Sequence, residues 1–182
     1  KTMTFDNKDE ILKIKKYYPT ADLIIRLLPD DSKSLMRFGS KFGASIETIP
    51  DLLLFCKQHS MNVIGVSFHI GSGCYDINKY NDAILLCRNT FDISETIGLP
   101  PMKIVDIGGG FPGSLETTTV NNIPSFESFA DIIKNSFITH FPKNKFPNVK
   151  YIAEPGRYFS YASSTLFSTI VGKRLVNEDK NI

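Results

Sequence analysis

Apolar residues follow two patterns along the chain: short continuous runs, and longer stretches in which they recur every three or four positions. The first pattern is typical of buried strands and the second of amphipathic helices. The pattern predicts five strands, starting near residues 2, 22, 62, 103 and 149. It predicts four helices between them, at residues 8–18, 50–60, 76–98 and 125–141, with Asp76 as an N-cap. The chain therefore alternates strand and helix.

The strands are apolar throughout rather than at alternate positions, which predicts a parallel sheet covered on both faces. A doubly wound sheet and a β/α barrel both fit this alternation. Polar residues follow several different strands, at Arg26, His69, the glycines 108–110 and Glu154. A barrel gathers all its strand ends around one mouth, whereas an open sheet gathers only those at its switch point. The predicted fold class is α/β, part of a TIM-type (β/α)8 barrel.

The end of the chain departs from this alternation. Residues 162–176, ASSTLFSTIVGKRLV, are rich in Thr, Val, Ile and Phe and show no helical periodicity. We expect residues 1–160 to be the C-terminal portion of the barrel and residues 161–182 to begin a β-rich domain. Because a strand-like segment follows Lys1 directly and position 1 is not Met, we expect a piece of a longer protein.

Composition narrows the functional classes. With 182 residues, 42% of them apolar, the chain can bury a core, and its net charge of +2 gives no indication of nucleic-acid binding. The three cysteines have no C-x-x-C spacing, which favours a reduced, cytoplasmic setting and predicts no metal site. No apolar run reaches the length of a membrane span.

Three consecutive glycines, Gly108, Gly109 and Gly110, directly follow a predicted strand. With Gly113 they match G-x-G-x-x-G, but Pro112 and the following SLETTTVNNIP do not favour the helix that a dinucleotide site requires. Two interpretations stay open. The glycines form either a turn required for packing or a nest of backbone N–H groups that binds phosphate.

Two further motifs end predicted strands. SFHIGSG places His69 before Gly71-Ser72-Gly73, and AEPGRY places Glu154 before Gly156 and Arg157. A serine hydroxyl and an arginine fork both bind phosphate oxygens well. Taken singly, His69 could be a structural hydrogen-bonding residue and Glu154 could pair with an arginine of the fold.

Together the motifs suit a flat, phosphorylated heterocycle with a basic ring nitrogen. The glycines and Arg157 would take the phosphate, His69 would lie against the ring, and Glu154 would bind the ring nitrogen. Pyridoxal 5'-phosphate fits this description, and a protonated ring nitrogen makes its ring an electron sink for a carbanion.

The chain resembles the eukaryotic-type ornithine decarboxylases, a barrel-fold group of pyridoxal-phosphate decarboxylases. The resemblance rests on six motifs in the family's order and approximate spacing: MTFDN, RLLPDDSK, KFGAS, VIGVSFHIGSGCYD, VDIGGGFPG and AEPGRYF. FHIGSG together with GGGFPG is specific to the ornithine enzymes. The related diaminopimelate enzymes typically carry Gln after the Ser and lack FPG.

The resemblance implies roles for individual residues. It implies that His69 stacks on the cofactor ring, that Glu154 binds the pyridine nitrogen, and that Arg26 lies beneath the cofactor. It assigns the phosphate to the following residues: Ser72, Gly108, Gly109, Gly110, Gly156 and Arg157. It also implies that Asp6 and Lys41 form salt bridges across a dimer.

The function that the resemblance implies is decarboxylation of L-ornithine to putrescine and CO2 by a homodimer with active sites at the subunit interface. In the family, the lysine that bonds to the cofactor precedes this segment. The family's catalytic Cys and substrate-binding Asp lie in the β-domain of the partner subunit. Residues 1–182 alone are therefore expected to be inactive. An antizyme-type regulator is a possible partner. Two alternatives stay open: an inactive antizyme-inhibitor-like binding protein, in which the phosphate site is typically degraded, or an arginine, lysine or diaminopimelate decarboxylase.

Overall fold

Seven strands and five helices make up the part of the chain that the computed structural model describes, residues 1–39, 41–113 and 124–173. The strands are β1 (Thr2–Phe5), β2 (Asp22–Leu27), β3 (Ser34–Met36), β4 (Asn62–Phe68), β5 (Ser72–Cys74), β6 (Ile104–Asp106) and β7 (Lys150–Ile152). The helices are α1 (Lys8–Tyr17), α2 (Ile49–Gln58), α3 (Asn78–Ile97), α4 (Phe126–His140) and α5 (Gly156–Ser160). All five strands and all four helices of the sequence prediction are therefore present.

The main sheet contains five strands in the order β1-β2-β4-β6-β7, and every pair is parallel. Each strand pairs with the main-sheet strand that precedes it in the chain, so the order never reverses. A doubly wound sheet reverses its order at a switch point, whereas a barrel does not. The sheet is thus an arc of a β/α barrel, as predicted, with all its carboxyl ends at one rim.

Local sequence signals fix the helix ends. The Asn7 side chain accepts a hydrogen bond from the Glu10 amide at 2.8 Å, and Ser125 does the same for Ser128 at 3.2 Å. Gly98 ends α3 in the left-handed conformation with φ +76°. The predicted cap Asp76 is displaced by one residue: Ile77 occupies the N-cap, and the Asp76 carboxylate accepts from the Asn78 amide at 3.0 Å.

The core lies between the sheet and the helices that flank it. Fully buried apolar side chains come from both layers: Leu23, Ile25, Val63, Val66, Val105, Ile11, Leu53 and Ile84. The expectation of a sheet covered on both faces holds for β2 and β4 but not for the two strands at the ends of the described sheet. Three of the four β1 residues and all three β7 residues are exposed.

A second, two-stranded sheet was not predicted. β3 and β5 pair in antiparallel register, with Ser34 opposite Cys74 and Met36 opposite Ser72. They follow β2 and β4 directly and so lie at the carboxyl rim. Three-residue strands carry too few positions for a recognisable period, and the residues around Asp30 and Asp31 indicated only a turn.

Beyond α5, residues 161–173 form no strand, and residues 174–182 lie outside the described part of the chain. The predicted start of a β-rich domain therefore stays a prediction, as does the boundary at residue 160. Most of the SLETTTVNNIP stretch, residues 114–123, also lies outside the described residues. Among the described helices, none has the length and apolar character required to cross a membrane.

Candidate active site

Six of the predicted site residues meet at the carboxyl rim of the main sheet. Arg26 is the penultimate residue of β2, His69 follows β4 directly, and the glycine turn and Glu154 follow β6 and β7. The charge of Arg26 acts on the pKa of both His69 and Glu154, as expected of groups that face one shared space. The Arg26 guanidinium also lies 4.8 Å above the ring centre of Phe42.

The glycine turn is packed against its neighbours on both sides. Gly108 has φ +58°, and a Cβ placed on it would lie only 2.1 Å from the carbonyl oxygen of Phe68. A Cβ on Gly109 would lie 2.9 Å from the His69 Nε2 atom and 2.9 Å from the Glu154 carbonyl oxygen. Packing alone therefore requires glycine at position 108, and at position 109 glycine leaves room for His69.

Backbone groups of the same turn connect β6 to the adjoining strand ends. The Gly108 carbonyl accepts from the Glu154 amide at 2.7 Å, and the Gly110 carbonyl accepts from the Cys74 amide at 3.1 Å. The Gly108 amide donates to the Asp106 carboxylate at 2.9 Å, so it is already engaged within the chain. Gly109 and Gly110 are therefore the candidates in this turn for binding phosphate through their amides.

The structure brings Ser72 and Arg157 together although 85 residues separate them. The Nε atom of Arg157 donates to the Ser72 hydroxyl oxygen at 2.9 Å, and its Nη2 atom lies 4.0 Å from the Met36 sulfur. Ser72 begins β5 and is half-buried, whereas Arg157 lies in α5 and is exposed. Beside Arg157, Gly156 has open space around its Cα, with no heavy atom within 4 Å of an added Cβ. A cation and a hydroxyl thus meet at an accessible point, as a phosphate site requires.

His69 is half-buried and held in one orientation. Its Nδ1 atom accepts from the Gly71 amide at 3.2 Å, so the neutral ring carries its hydrogen on Nε2. Its ring centre lies 5.0 Å from that of Phe38, at an angle of 58°. Burial and the charge of Arg26 lower the pKa of His69, against the opposing effect of Asp106. The structure therefore presents a neutral, flat ring at the site.

Glu154 follows β7, the last strand of the described sheet. Its side chain is exposed there, and the carboxylate has no hydrogen-bond partner among the described residues. Partial desolvation and the nearby Asp106 carboxylate nevertheless raise the pKa of Glu154, while Arg26 lowers it. The backbone of Glu154 is held by the Gly108 carbonyl, and its carboxylate feels the charge of Arg26 and is accessible to a bound group.

Asp106 is the residue that the sequence analysis did not include in the site. It is the last residue of β6, it holds the Gly108 amide, and its charge raises the pKa of both Glu154 and His69. A single acidic residue within an otherwise apolar strand was the signal that could have identified it.

The two predicted dimer residues lie apart from this site in the chain. The Asp6 carboxylate accepts from the Gly43 amide at 2.8 Å and from the Asn7 side chain at 2.7 Å, within the chain. Lys41 is exposed and forms no ion pair with any described residue. Their role across a dimer interface stays a prediction.

The residues present fit pyridoxal phosphate. The Arg157–Ser72 pair supplies phosphate donors, the small Gly109 keeps the space beside His69 open, and the Glu154 carboxylate can accept a hydrogen bond from a protonated ring nitrogen. No single group of this kind defines a cofactor, but the combination at one barrel rim is the arrangement that a phosphorylated pyridine requires.

This fold and site define a barrel protein that binds a phosphorylated cofactor at the carboxyl ends of its strands. Residues 1–161 match the model of the pyridoxal-dependent decarboxylases, specifically their pyridoxal-binding domain. The chain belongs to this family.

Individual relatives agree with this assignment. The chain is 44% identical over 181 residues to a probable ornithine decarboxylase of Dictyostelium discoideum, covering all of this chain and 37% of that protein. It is 39% identical over 174 residues to antizyme inhibitor 2 of Xenopus laevis, covering 96% of this chain and 36% of that protein. The crystal structure of the arginine decarboxylase of Paramecium bursaria Chlorella virus superposes with a TM-score of 0.75 at 35% identity, over 87% of this chain and 40% of that one. The chain thus spans somewhat more than a third of the length of these relatives.

Proposed function

We propose that the protein is a pyridoxal-phosphate-dependent decarboxylase that converts L-ornithine to putrescine and CO2. The observation that carries this proposal is the hydrogen bond between Arg157 and Ser72, because it assembles a phosphate anchor from two distant segments. The probable ornithine decarboxylase of Dictyostelium discoideum, 44% identical over nearly the whole chain, supports the choice of substrate.

The wider setting of the proposal follows from the same resemblance. The enzyme acts as a homodimer, with Asp6 and Lys41 at the interface and active sites shared between subunits, and it is open to an antizyme-type regulator. Its three cysteines are free and buried, which suits the reducing cytoplasm.

Each side chain at the rim has a distinct task in this proposal. Arg157 and Ser72 bind the phosphate, and the neutral His69 ring packs against the pyridine face. Glu154 keeps a proton on the ring nitrogen, because a carboxylate beside a ring N–H favours its charged form. Bound pyridoxal phosphate supplies the electron sink for the electron pair left when CO2 departs. Arg26 opposes the repulsion between Asp106 and Glu154 and so helps keep Glu154 ionised.

The inactive alternative stays open because of one similarity. Antizyme inhibitor 2 is almost as similar to this chain as the ornithine decarboxylases are, so overall identity does not separate the two functions. The phosphate anchor does separate them, and its intact state supports the enzyme. The similarity to an arginine decarboxylase keeps the choice of basic amino acid a matter for direct measurement.

The test uses the full-length protein and the variants Arg157→Ala and Arg157→Lys. A hydrogen bond to a charged group contributes about 1.5–3 kcal/mol, so Arg157→Ala is expected to weaken pyridoxal-phosphate binding at least about tenfold. Arg157→Lys keeps the charge but loses the fork, and is expected to weaken binding less. Cofactor affinity is measured by fluorescence titration, and CO2 release is measured with ornithine, lysine and arginine.

Three results would contradict the proposal. An unchanged cofactor affinity in Arg157→Ala would remove Arg157 from the phosphate site. Absence of both cofactor binding and CO2 release in the unmodified protein would favour the inhibitor-like function. Faster release of CO2 from lysine or arginine than from ornithine would contradict the assignment of ornithine as the substrate.

A further inference from the structure

A cavity of about 300 Å³ lies at the opposite rim of the sheet from the candidate active site. It is formed by the C-terminal half of α3, by residues 99–102 that lead into β6, and by residues 145–149 that lead into β7. The rings of Phe91 and Phe146 form much of its apolar wall. Because it adjoins the beginnings of β6 and β7, it is separate from the rim where those strands end.

Ser94, a residue of the cavity wall, has a buried hydroxyl without a partner. Ser94 is only 2% exposed, and its hydroxyl forms no hydrogen bond with any described residue. Thr90 and Thr96 on the same helix each donate to the carbonyl four residues earlier, at 2.9 Å. Buried polar groups are normally hydrogen-bonded, so an unsatisfied hydroxyl at a cavity wall indicates a site for a bound polar group.

Two side chains of opposite charge line the same cavity, and neither has an ion-pair partner among the described residues. Glu95 belongs to α3 and Lys145 to the segment before β7; both are exposed, and neither forms an ion pair within the described residues. A third charge, Arg88, is already engaged: it pairs with Asp92, and its guanidinium lies 4.4 Å above the Phe146 ring. The cavity thus offers one free anion and one free cation beside an apolar wall.

We propose that this cavity binds a small zwitterion with an apolar side chain, namely an apolar α-amino acid. Glu95 binds its ammonium group, Lys145 binds its carboxylate, and the Ser94 hydroxyl gains the partner it lacks. The side chain of the ligand packs against Phe91 and Phe146. A volume of about 300 Å³ lies at the lower end of the range for ligand pockets, which limits the occupant to a single small molecule. This inference does not rest on the proposed decarboxylase activity.

The test uses the full-length protein with L-phenylalanine as the probe, in a calorimetric or NMR titration. A small ligand in such a site is expected to bind with a Kd of about 1 mM or tighter. Two comparators each lack one charge: 3-phenylpropionate has no ammonium group, and 2-phenylethylamine has no carboxylate. Both are expected to bind more weakly than phenylalanine.

Variants assign the charges to their groups. Glu95→Gln is expected to weaken the binding of phenylalanine about two- to fivefold, because exposed ion pairs contribute modestly. It is expected to leave the binding of 3-phenylpropionate unchanged. Lys145→Gln is expected to weaken the binding of phenylalanine and of 3-phenylpropionate and to leave the binding of 2-phenylethylamine unchanged. Lys143→Gln is the matched control, since Lys143 is exposed in the same segment but does not line the cavity.

The absence of saturable phenylalanine binding would overturn the proposal. So would binding that is insensitive to both Glu95→Gln and Lys145→Gln, because the ligand would then lie elsewhere, for example at the rim that carries Arg157. Comparators that bind as tightly as phenylalanine would overturn the assignment of a zwitterion. Ser94→Ala checks the role of the Ser94 hydroxyl. It is expected to weaken the binding of phenylalanine without lowering the melting temperature of the protein.

Discussion

Replacing Gly108 with alanine tests whether the glycine turn is a packing requirement. The φ of +58° costs a residue with a Cβ about 1–2 kcal/mol relative to glycine. The new Cβ would also lie 2.1 Å from the Phe68 carbonyl oxygen, more than about 1 Å inside a normal carbon–oxygen contact. Backbone rather than a flexible side chain must then move, and overpacking of this kind typically costs about 1–3 kcal/mol. The free energy of unfolding is therefore expected to fall by about 2–5 kcal/mol.

Urea unfolding of the full-length protein measures this change. With a slope of about 2 kcal/mol per molar urea, the loss corresponds to a midpoint about 1–2.5 M lower. Gly156→Ala is the matched control, because an added Cβ at Gly156 meets no heavy atom within 4 Å and Gly156 does not have a positive φ. If Gly108→Ala unfolded at the same urea concentration as Gly156→Ala, the reasoning from close approach would be refuted.

Two further predictions concern the charged groups of the rim. In the full-length enzyme, Glu154→Ala is expected to lower kcat about 10- to 1,000-fold while the cofactor stays bound, since pairing with a carboxylate shifts the pKa of the ring nitrogen by about 1–3 units. Glu154→Asp is expected to lower kcat less. A lower melting temperature with unchanged kcat in Glu154→Ala would show a purely structural role. The pKa of His69, followed by NMR in the cofactor-free protein, is expected below about 6.5, and lower still in Asp106→Asn. The contribution of His69 to the free energy of unfolding is therefore present above pH 6.5 and is lost as pH falls through the lowered pKa. A pKa above 6.5 would contradict the burial of the ring.

Much of the main sheet could be predicted from the sequence because its strands are buried. The apolar runs of β2 and β4 carry a strong signal, and Gly98 marks the end of α3 through its left-handed conformation. The barrel was favoured over an open sheet by polar residues at successive strand ends, and the unreversed strand order confirms that argument.

Other features depend on contacts that no local pattern contains. The β3–β5 pair is held by two strands of three residues that lie far apart in the chain. The exposure of Glu154 follows from the place of β7 at the end of the described sheet, which the apolar Ile152 and Ala153 before it do not indicate. The influence of Asp106 on Glu154 arises only where β6 and β7 lie side by side.

The unreversed strand order also has a consequence for how the protein is made. As the chain leaves the ribosome, each new strand of the main sheet finds its neighbour already synthesised, as when Asp22 pairs beside Thr2 and Lys150 beside Ile104. Ser72, by contrast, must wait for a further 85 residues before Arg157 exists, roughly 4–17 s at typical synthesis rates. The phosphate anchor therefore forms later in translation than the pairing of β1, β2 and β4, and a nascent chain can capture its cofactor there only after β7 has been made.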